Sequence, residues 1–550
     1  MRTLLCLTVS VIAAWAACAA FGQTAAPPPH FEVADIHPSA PTANQVARGP
    51  FTTGTRYDLR NATLVDLIVK AYDVTGDKVL GGPNWLEYDR FDISALVPPK
   101  TSAADAKLML QALLADRFNL AFRKEERPLS VYALTAPKGS QKLKEADGSG
   151  NTGCQLSLDQ ARRVDPAAGV PQALTLSFAC HNETMAAFAA QLAGMPLAQI
   201  GTNPVQDKTG LAGTWEFTFK YTLPGSGGPG DGTTLPDALD KQLGLKLEQE
   251  TLSLPVIVVD KANRASPNEP DVTKKIPALP TEFEVATIKP LAPADGNSFV
   301  TIGIRMQPGG RVNISGLPLK LLVQQAWGVQ ADSIVNAPKW MDTDRYDIVA
   351  KAPSTGAQAG PNGPVDNDSI FLMVRALLAD RFKLAAHFEE RPATAYTLTA
   401  SKPKLKKADP ASRTKWSDGN GNGPLIFNGG GGGSVPSRTI KFQNMSMAQL
   451  AEKLQYIGAT YIHAPVLDAT GLEGSYDFTL TFSLIPPAQL ATMLANRPPD
   501  AGGPGGAADP IGGVSIFEAV EKQLGLKLVE QKRPVSVLVI DHIEQQPTEN

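Results

Sequence analysis

The chain repeats itself over almost its whole length, and this repeat limits the possible folds more than any other feature. FEVADIHP at 31–38 returns as FEVATIKP at 283–290, and ALLADRFNL at 112–120 returns as ALLADRFKL at 376–384. Three further pairs keep the same order: GGPNWLEYDRFDI with NAPKWMDTDRYDI (81–93, 336–348), DKTGLAGTWEFT with DATGLEGSYDFT (207–218, 468–479), and KQLGLKL twice (241–247, 522–528). Such order and spacing indicate two tandem copies of one domain.

The repeat also predicts the domain bounds. The first copy is expected at 31–264 and the second at 282–546, joined by a short, semi-stiff, Pro-rich linker at 265–281. Within the second copy, 376–400 resembles 519–542. We therefore expect each copy to contain two related βαβ-type half-units, each roughly helix, strand, helix, strand, strand.

Periodicity predicts an α+β fold. Apolar stripes at i, i+3, i+4 and i+7 indicate amphipathic helices; they are Leu64, Leu67, Ile68 and Ala71, and Leu319, Leu322, Val323 and Ala326. Thr63 and Ser446 are predicted N-caps, and Gly244 and Gly525 are predicted left-handed helix ends. Short β-rich runs with hairpin-like spacing, such as VSVLVID at 535–541, predict small antiparallel or mixed sheets with helices packed on one face.

The first 22 residues have the layout of a secretory signal peptide. Arg2 precedes an apolar run, and small residues precede the expected cleavage site after Gly22. The alternative is a lipoprotein acylated on Cys18, which Trp15 disfavours because a lipobox usually carries a small aliphatic residue there. No later stretch reaches the ~20 apolar residues that span a bilayer. An exported protein, periplasmic or secreted, is expected.

Signal removal leaves Cys154 and Cys180 in one segment of the first copy. In an oxidising compartment this pair is most simply a disulfide, and its spacing lacks the paired cysteines and clustered histidines of zinc sites. The formal net charge of −3 provides no global field for nucleic acid. Glycine-rich stretches at 225–233, 417–436 and 500–513 are predicted surface loops.

No catalytic, metal or cofactor site is recognisable in the sequence. Its six histidines lack the spacing of a metal-ligand pair, and the chain has no GxSxG elbow and no phosphate-binding glycine loop. The helix-ending pairs Asp116-Arg117 and Asp380-Arg381 are expected to fix turns rather than to form a catalytic dyad.

The most suggestive polar groups follow two tryptophans. Trp85 is followed by Asp89, Arg90 and Asp92 in the first copy, and Trp340 by Asp344, Arg345 and Asp347 in the second. An aromatic ring with an arginine and carboxylates could line a site for a sugar or peptide. In the structural interpretation, which we favour, the tryptophan belongs to the core and the arginine and aspartate form an ion pair that lies on the surface or fixes a turn.

With these repeated motifs, the sequence resembles a soil-associated domain-of-unknown-function family that is abundant in acidobacterial genomes. The resemblance covers nearly all of both copies and implies an exported protein without catalytic residues to transfer. The resemblance also implies that a related domain lies beyond the membrane part of some sensor-type metallopeptidases. More loosely, the half-unit is similar to the βαβ modules at the N-termini of secretins and TonB-dependent receptors, which bind other proteins; this is an analogy of fold.

These observations favour a non-catalytic module that binds an envelope protein, a peptide or a polysaccharide. An exposed sheet edge is one way in which it could bind such a partner. The alternatives are an extracytoplasmic hydrolase with a dispersed Asp/Glu/Arg site across a domain interface, and a sensor or scaffold domain.

Overall fold

A computed structural model describes most of both copies. The described residues are 29–40, 46–139, 141–149, 151–158, 175–192, 195, 204–222, 233–291, 303–307, 310–353, 367–418, 437–484, 486 and 514–548. The predicted signal peptide and most of the three glycine-rich stretches lie outside these residues.

The first copy alternates strands and helices. Its strands are β1 (Val33–Pro38), β2 (Arg48–Thr53), β3 (Arg56–Thr63), β4 (Val79–Gly81), β5 (Arg90–Leu96), β6 (Ala121–Thr135), β7 (Lys144–Glu145), β8 (Gly153–Leu158), β9 (Thr175–Glu183), β10 (Val205–Asp207), β11 (Trp215–Thr222) and β12 (Lys246–Lys261). Its helices are α1 (Leu64–Tyr72), α2 (Ala103–Phe118), α3 (Met185–Leu192) and α4 (Leu235–Ala238), which continues as a π-helical turn (Leu239–Leu243). Short 3-10 turns span Gly76–Lys78 and Asn84–Glu87.

Helix α5 (Val272–Lys275) lies in the linker, and the second copy then repeats the order. Its strands are β13 (Val285–Pro290), β14 (Gly303–Gln307), β15 (Arg311–Pro318), β16 (Ile334–Val335), β17 (Arg345–Lys351), β18 (Ala385–Ala400), β19 (Lys406–Lys407), β20 (Lys415–Asp418), β21 (Ser437–Ser446), β22 (Val466–Asp468), β23 (Ser475–Ser483) and β24 (Leu526–His542). Its helices are α6 (Leu319–Trp327), α7 (Asn367–Arg381), α8 (Met447–Ile457) and α9 (Ile516–Ala519), with a π-helical turn at Val520–Leu524. Its 3-10 turns span Ala331–Ser333 and Lys339–Asp342.

One sheet pattern occurs four times. The strand orders are β1-β5-β3-β2, β7-β11-β9-β8, β13-β17-β15-β14 and β19-β23-β21-β20, and all neighbouring strands are antiparallel. Each sheet and its helices enclose a separate hydrophobic core. The predicted α+β fold class is confirmed, with two half-units in each copy.

A long two-stranded ribbon joins the halves of each copy. In the first copy, β6 pairs antiparallel with β12, while β10 and β4 extend the two ends as parallel edge strands. In the second copy β18 and β24 form the equivalent ribbon, with β22 and β16 at its ends. In the ribbon of the first copy, Pro128 in β6 and Pro255 in β12 lack the N–H that an added strand would need. This ribbon is therefore a poor site for strand addition.

A backbone bulge precedes the first helix of every half. The residue three positions before each helix has a positive φ: 53° at Asn61, 47° at Asn182, 65° at Gly316 and 51° at Asn444. Asparagine and glycine tolerate this left-handed conformation better than other residues. The bulge shifts the strand register just before the helix begins.

The predicted helix ends are confirmed where the structure describes them. Thr63 and Ser446 accept hydrogen bonds from the backbone N–H three residues later, each in a capping box. Gly244 and Gly525 have φ values of 69° and 68°. At Gly525 a side chain would also overlap the carbonyl oxygen of Lys402, so glycine satisfies two constraints there.

The segment between the copies folds back onto the first copy. Val272 and Ile276 are buried, and the Asn268 side chain bonds to both the N–H and the C=O of Ile36 on edge strand β1. Asn268 thereby takes the place of a further strand, so this edge is not open. The bounds 31–264, 265–281 and 282–546 stay predictions.

Candidate functional site at the junction of the two copies

The first tryptophan motif lies partly in the core. Trp85 is 8% exposed and forms a T-shaped pair with Phe91, with ring centroids 6.2 Å apart. The guanidinium of Arg264 lies 5.3 Å from the Trp85 ring centre and donates to Asp89 Oδ2 at 2.6 Å. Both Trp85 and Asp89 therefore have partners within their own copy.

The charged residues that follow Trp85 hold the bulge before α1. Arg90 Nη1 donates to the carbonyl of Asn61 at 2.6 Å, and Asp92 Oδ1 accepts from the Asn61 backbone N–H at 2.7 Å. Asp92 also accepts from the Ser39 hydroxyl at 2.6 Å. Burial lowers the pKa of Arg90, opposed by Asp66. The arginine and the second aspartate of the motif thus fix a left-handed residue in place.

The second copy uses its motif in the same way. Arg345 Nη1 donates to the Gly316 carbonyl at 2.5 Å, and Asp347 accepts from the Gly316 N–H at 3.2 Å. Asp344 accepts from the Gln545 amide at 2.7 Å, and Trp340 is half-buried against the local core. Among the described residues no hydrogen bond or ion pair joins this set to the set around Trp85.

The turn that carries Trp85 does meet the second copy. Arg413 donates to the Gly81 carbonyl from Nε at 3.0 Å and from Nη2 at 2.6 Å, and its Nη1 donates to Glu87 at 2.6 Å. The Thr414 backbone N–H donates to the Asn84 carbonyl at 2.9 Å. We call residues 84–88 the docking turn. It lies against the loop that enters β20.

Tyr88 of the docking turn meets a buried lysine. Its ring packs against the core of the second half of the second copy, and Lys453 Nζ lies 4.9 Å from the ring centre. Lys453 Nζ is 3.3 Å from Glu452, which also accepts from the Tyr88 hydroxyl at 3.4 Å. Burial lowers the pKa of Lys453, opposed by Glu452, and burial and Glu452 raise the pKa of Tyr88. This cluster combines an aromatic ring, an amine and a carboxylate across the junction.

A second contact lies on the outer face of the first sheet. Arg48 and Arg60 both bond to the Asp368 carboxylate in the first turn of α7, at 2.9 to 3.0 Å. The first half of copy one therefore contacts both halves of copy two. This arrangement fixes the orientation of the two copies.

The family follows from a comparison with known proteins. A family model described as "Protein of unknown function (DUF3738)" matches residues 65–262 and 320–543. The chain belongs to this family. The two matched regions fall within the two copies of this DUF3738 protein. No curated protein and no solved structure matches the chain.

The DUF3738 chain contains the disulfide expected between Cys154 and Cys180, which joins neighbouring strands β8 and β9. Among the described residues, no group of three His, Cys, Asp or Glu side chains could hold a metal ion. None of the helices in those ranges is long and apolar enough to cross a membrane.

The Asp-Arg pair at the end of α2 organises the linker. Arg117 donates to the Ser266 hydroxyl and carbonyl, to Asn268 and to the Ala34 carbonyl, at 2.6 to 3.0 Å. In the second copy Arg381 forms an ion pair with Asp380 at 3.1 Å. Arg117 therefore ties the linker to strand β1 rather than fixing the turn that follows α2, and Asp116 is exposed beside a cleft.

Sequence reasoning missed the residues that form the junction. Arg413, Lys453 and Asp368 belong to none of the repeated motifs used for the prediction. A signal was present in the differences between copies: by strand register and helix alignment, Lys453 corresponds to Gln191 and Arg413 to Asn151. Positions that diverge between repeats mark contacts that only one copy makes.

Proposed function

We propose that this DUF3738 protein is a non-catalytic binding module that acts outside the cytoplasm on an envelope protein, a peptide or a polysaccharide. One observation carries the proposal: in both copies the aromatic and charged residues of the most suggestive motif have internal partners. A general base or nucleophile must reach the substrate, whereas Arg90 and Asp92 bond to the backbone of Asn61.

Export is the second part of the proposal. The Cys154–Cys180 disulfide is compatible with an oxidising compartment. The predicted signal peptide would deliver the chain there. The proposed origin in soil bacteria rests on the resemblance of the sequence motifs alone.

The fixed junction also supports binding. Two copies held by Arg413, Tyr88 and Asp368 present their surfaces in one arrangement. A preorganised surface loses less conformational entropy on binding than two copies on a free tether. This favours recognition of an extended partner that contacts both copies.

The hydrolase alternative has one specific observation in its favour. Lys453, whose pKa is lowered, lies beside Tyr88 and Glu452 at a domain interface, and perturbed amines of this kind occur in active sites. Lys453 is only 3% exposed, so a substrate could reach it only if the junction opened. We therefore rank this function second.

The test is affinity capture with the mature protein on solubilised envelope and culture medium from its own source, read by mass spectrometry. The expected result is a saturable partner that soluble mature protein displaces. The same preparations serve in a hydrolase screen of the wild type and Lys453→Met. No displaceable partner, together with hydrolysis by the wild type and none by Lys453→Met, would overturn the proposal.

A further inference from the structure

A cleft lies where the linker folds back on the first copy. Strand β1, the end of α2 and helix α5 line this open cleft, whose volume is about 250 Å³. Its apolar lining comes from Phe31, Val33, Leu113 and Val272. Helix α5 forms one wall, so the cleft depends on the linker as well as on the domain.

In the second copy the start of the corresponding edge strand is more exposed. After β24, the chain of the second copy at first follows the path that the linker takes after β12. The Thr548 N–H donates to the Arg381 carbonyl, as the Ser266 N–H donates to the Arg117 carbonyl. Val285, the counterpart of Val33, is 60% exposed, whereas Val33 is half-buried.

Carboxylates at the cleft differ between the copies in their pairing. Glu284, the counterpart of Glu32, is paired with Lys351 at 2.8 Å, and Asp380, the counterpart of Asp116, is paired with Arg381 at 3.1 Å. Among the described residues, Glu32 and Asp116 form no such ion pair, and Leu96 stands where the second copy has Lys351.

The other charged groups at the cleft do not neutralise these two. Glu269 is paired with the exposed Lys275 at 3.5 Å. Arg117 donates to neutral acceptors on Ser266, Asn268 and Ala34. His30 also lines the cleft. In formal charges, with histidine counted as neutral, Arg117 and Lys275 stand against three carboxylates, so the cleft retains an excess of negative charge beside an apolar floor.

We propose that this cleft binds a lysine or arginine side chain of a polypeptide partner. The aliphatic part of such a side chain fits the floor of Phe31, Val33 and Leu113, while its charge lies between Glu32 and Asp116. This inference rests on the proposed binding function and specifies the partner as a basic polypeptide.

The test uses the mature protein and two fluorescein-labelled pentapeptides that differ only in a central lysine or norleucine, followed by fluorescence anisotropy. We expect the lysine peptide to bind more tightly, and Glu32→Gln/Asp116→Asn to weaken it about fivefold, the effect of roughly 1 kcal/mol from exposed ion pairs. The matched control Glu284→Gln/Asp380→Asn, in the second copy, leaves binding unchanged.

A third variant keeps both carboxylates. Leu96→Lys gives Glu32 the internal partner that Glu284 has in Lys351, so it is expected to weaken binding of the lysine peptide. Equal binding of the two peptides, or equal losses in the two double variants, overturns the cleft proposal. Self-association by analytical ultracentrifugation that the cleft variants abolish also overturns it, because the occupant is then a second copy of this chain. If the cleft variants still capture the envelope partner, the cleft proposal is overturned and the proposed binding function is kept.

Discussion

The docking turn at 84–88 and its counterpart at 339–343 have the same backbone form and different surroundings. Both are 3-10 turns followed by an Asp-Arg pair that leads into a strand. Tyr88 packs on the second copy, whereas Thr343 and Lys339 are exposed. The shared motif therefore builds the turn, and the residues that differ decide what the turn contacts.

Divergence is found on both sides of the junction. Copy one has Gln191 and Asn151 where copy two has Lys453 and Arg413. Copy two has Ser315 where copy one has Arg60, as the strand registers show. The polar contacts of the junction thus cannot be repeated with the roles of the copies exchanged. The two turns have the same form, but only the turn of the first copy meets complementary polar residues of the other copy.

The largest expected effect concerns a difference between the second halves of the two copies. The first copy has the disulfide-bonded Cys154 and Cys180 where the second copy has Trp416 and Phe442. Cys154→Ser/Cys180→Ser is expected to lower the free energy of unfolding by about 3 kcal/mol, because the disulfide closes a loop in the unfolded chain. Urea denaturation measures this. Dithiothreitol should destabilise the wild type and leave the variant unchanged; an unaltered midpoint for the variant would contradict the prediction.

Tyr88→Ala is expected to lower the free energy of unfolding by about 2 kcal/mol, because a half-buried aromatic ring leaves the core of the second copy. Loss of the junction should also split one urea transition into two, as independent domains unfold separately. The control Thr343→Ala should stay within about 0.5 kcal/mol. Equal effects of the two substitutions would show that the turns are equivalent.

The ion pair of Glu87 and Arg413 is expected to contribute a coupling energy of about 1 kcal/mol, since both side chains are mostly buried at the junction. A double-mutant cycle with Glu87→Gln and Arg413→Gln measures the coupling. The equivalent cycle with Asp342→Asn and Asn151→Ala should give a value near zero. A comparable coupling there would indicate a contact that the fold does not contain.

The smallest effect distinguishes the two ribbons. His387 in the second ribbon occupies the place of Arg123 in the first and donates to Asp541 at 2.8 Å. This hydrogen bond and the carboxylate charges raise the pKa of His387. Its stabilising contribution is present below about pH 6.5 and is lost as pH rises through the raised pKa.

Titration of the His387 ring by NMR measures this shift, and Asp541→Asn should move the pKa back toward its ordinary value. His387→Arg should remove the associated pH dependence of the melting temperature, because arginine stays charged, as in the first ribbon. A melting profile unchanged by His387→Arg would contradict the assignment.

Much of the local structure followed from the sequence. Thr63 and Ser446 could be recognised as caps because their hydrogen bonds involve residues three positions away. The roles of Arg90 and Asp92 were predicted only as turn-fixing. Asn61 is about 30 positions away, and its bulge appears when strands β3 and β5 pair.

The sequence by itself determined the duplication, the α+β class, the helix caps and the cysteine pair, because repeats, periodicity and short-range spacing are properties of neighbouring residues. Only the tertiary structure decided that the linker packs back on β1, that Tyr88 meets Lys453, and that Glu32 and Asp116 border one cleft. These contacts join residues from distant segments. Their energies depend on burial and charge pairing, which exist only once the sheets, helices and linker have packed together.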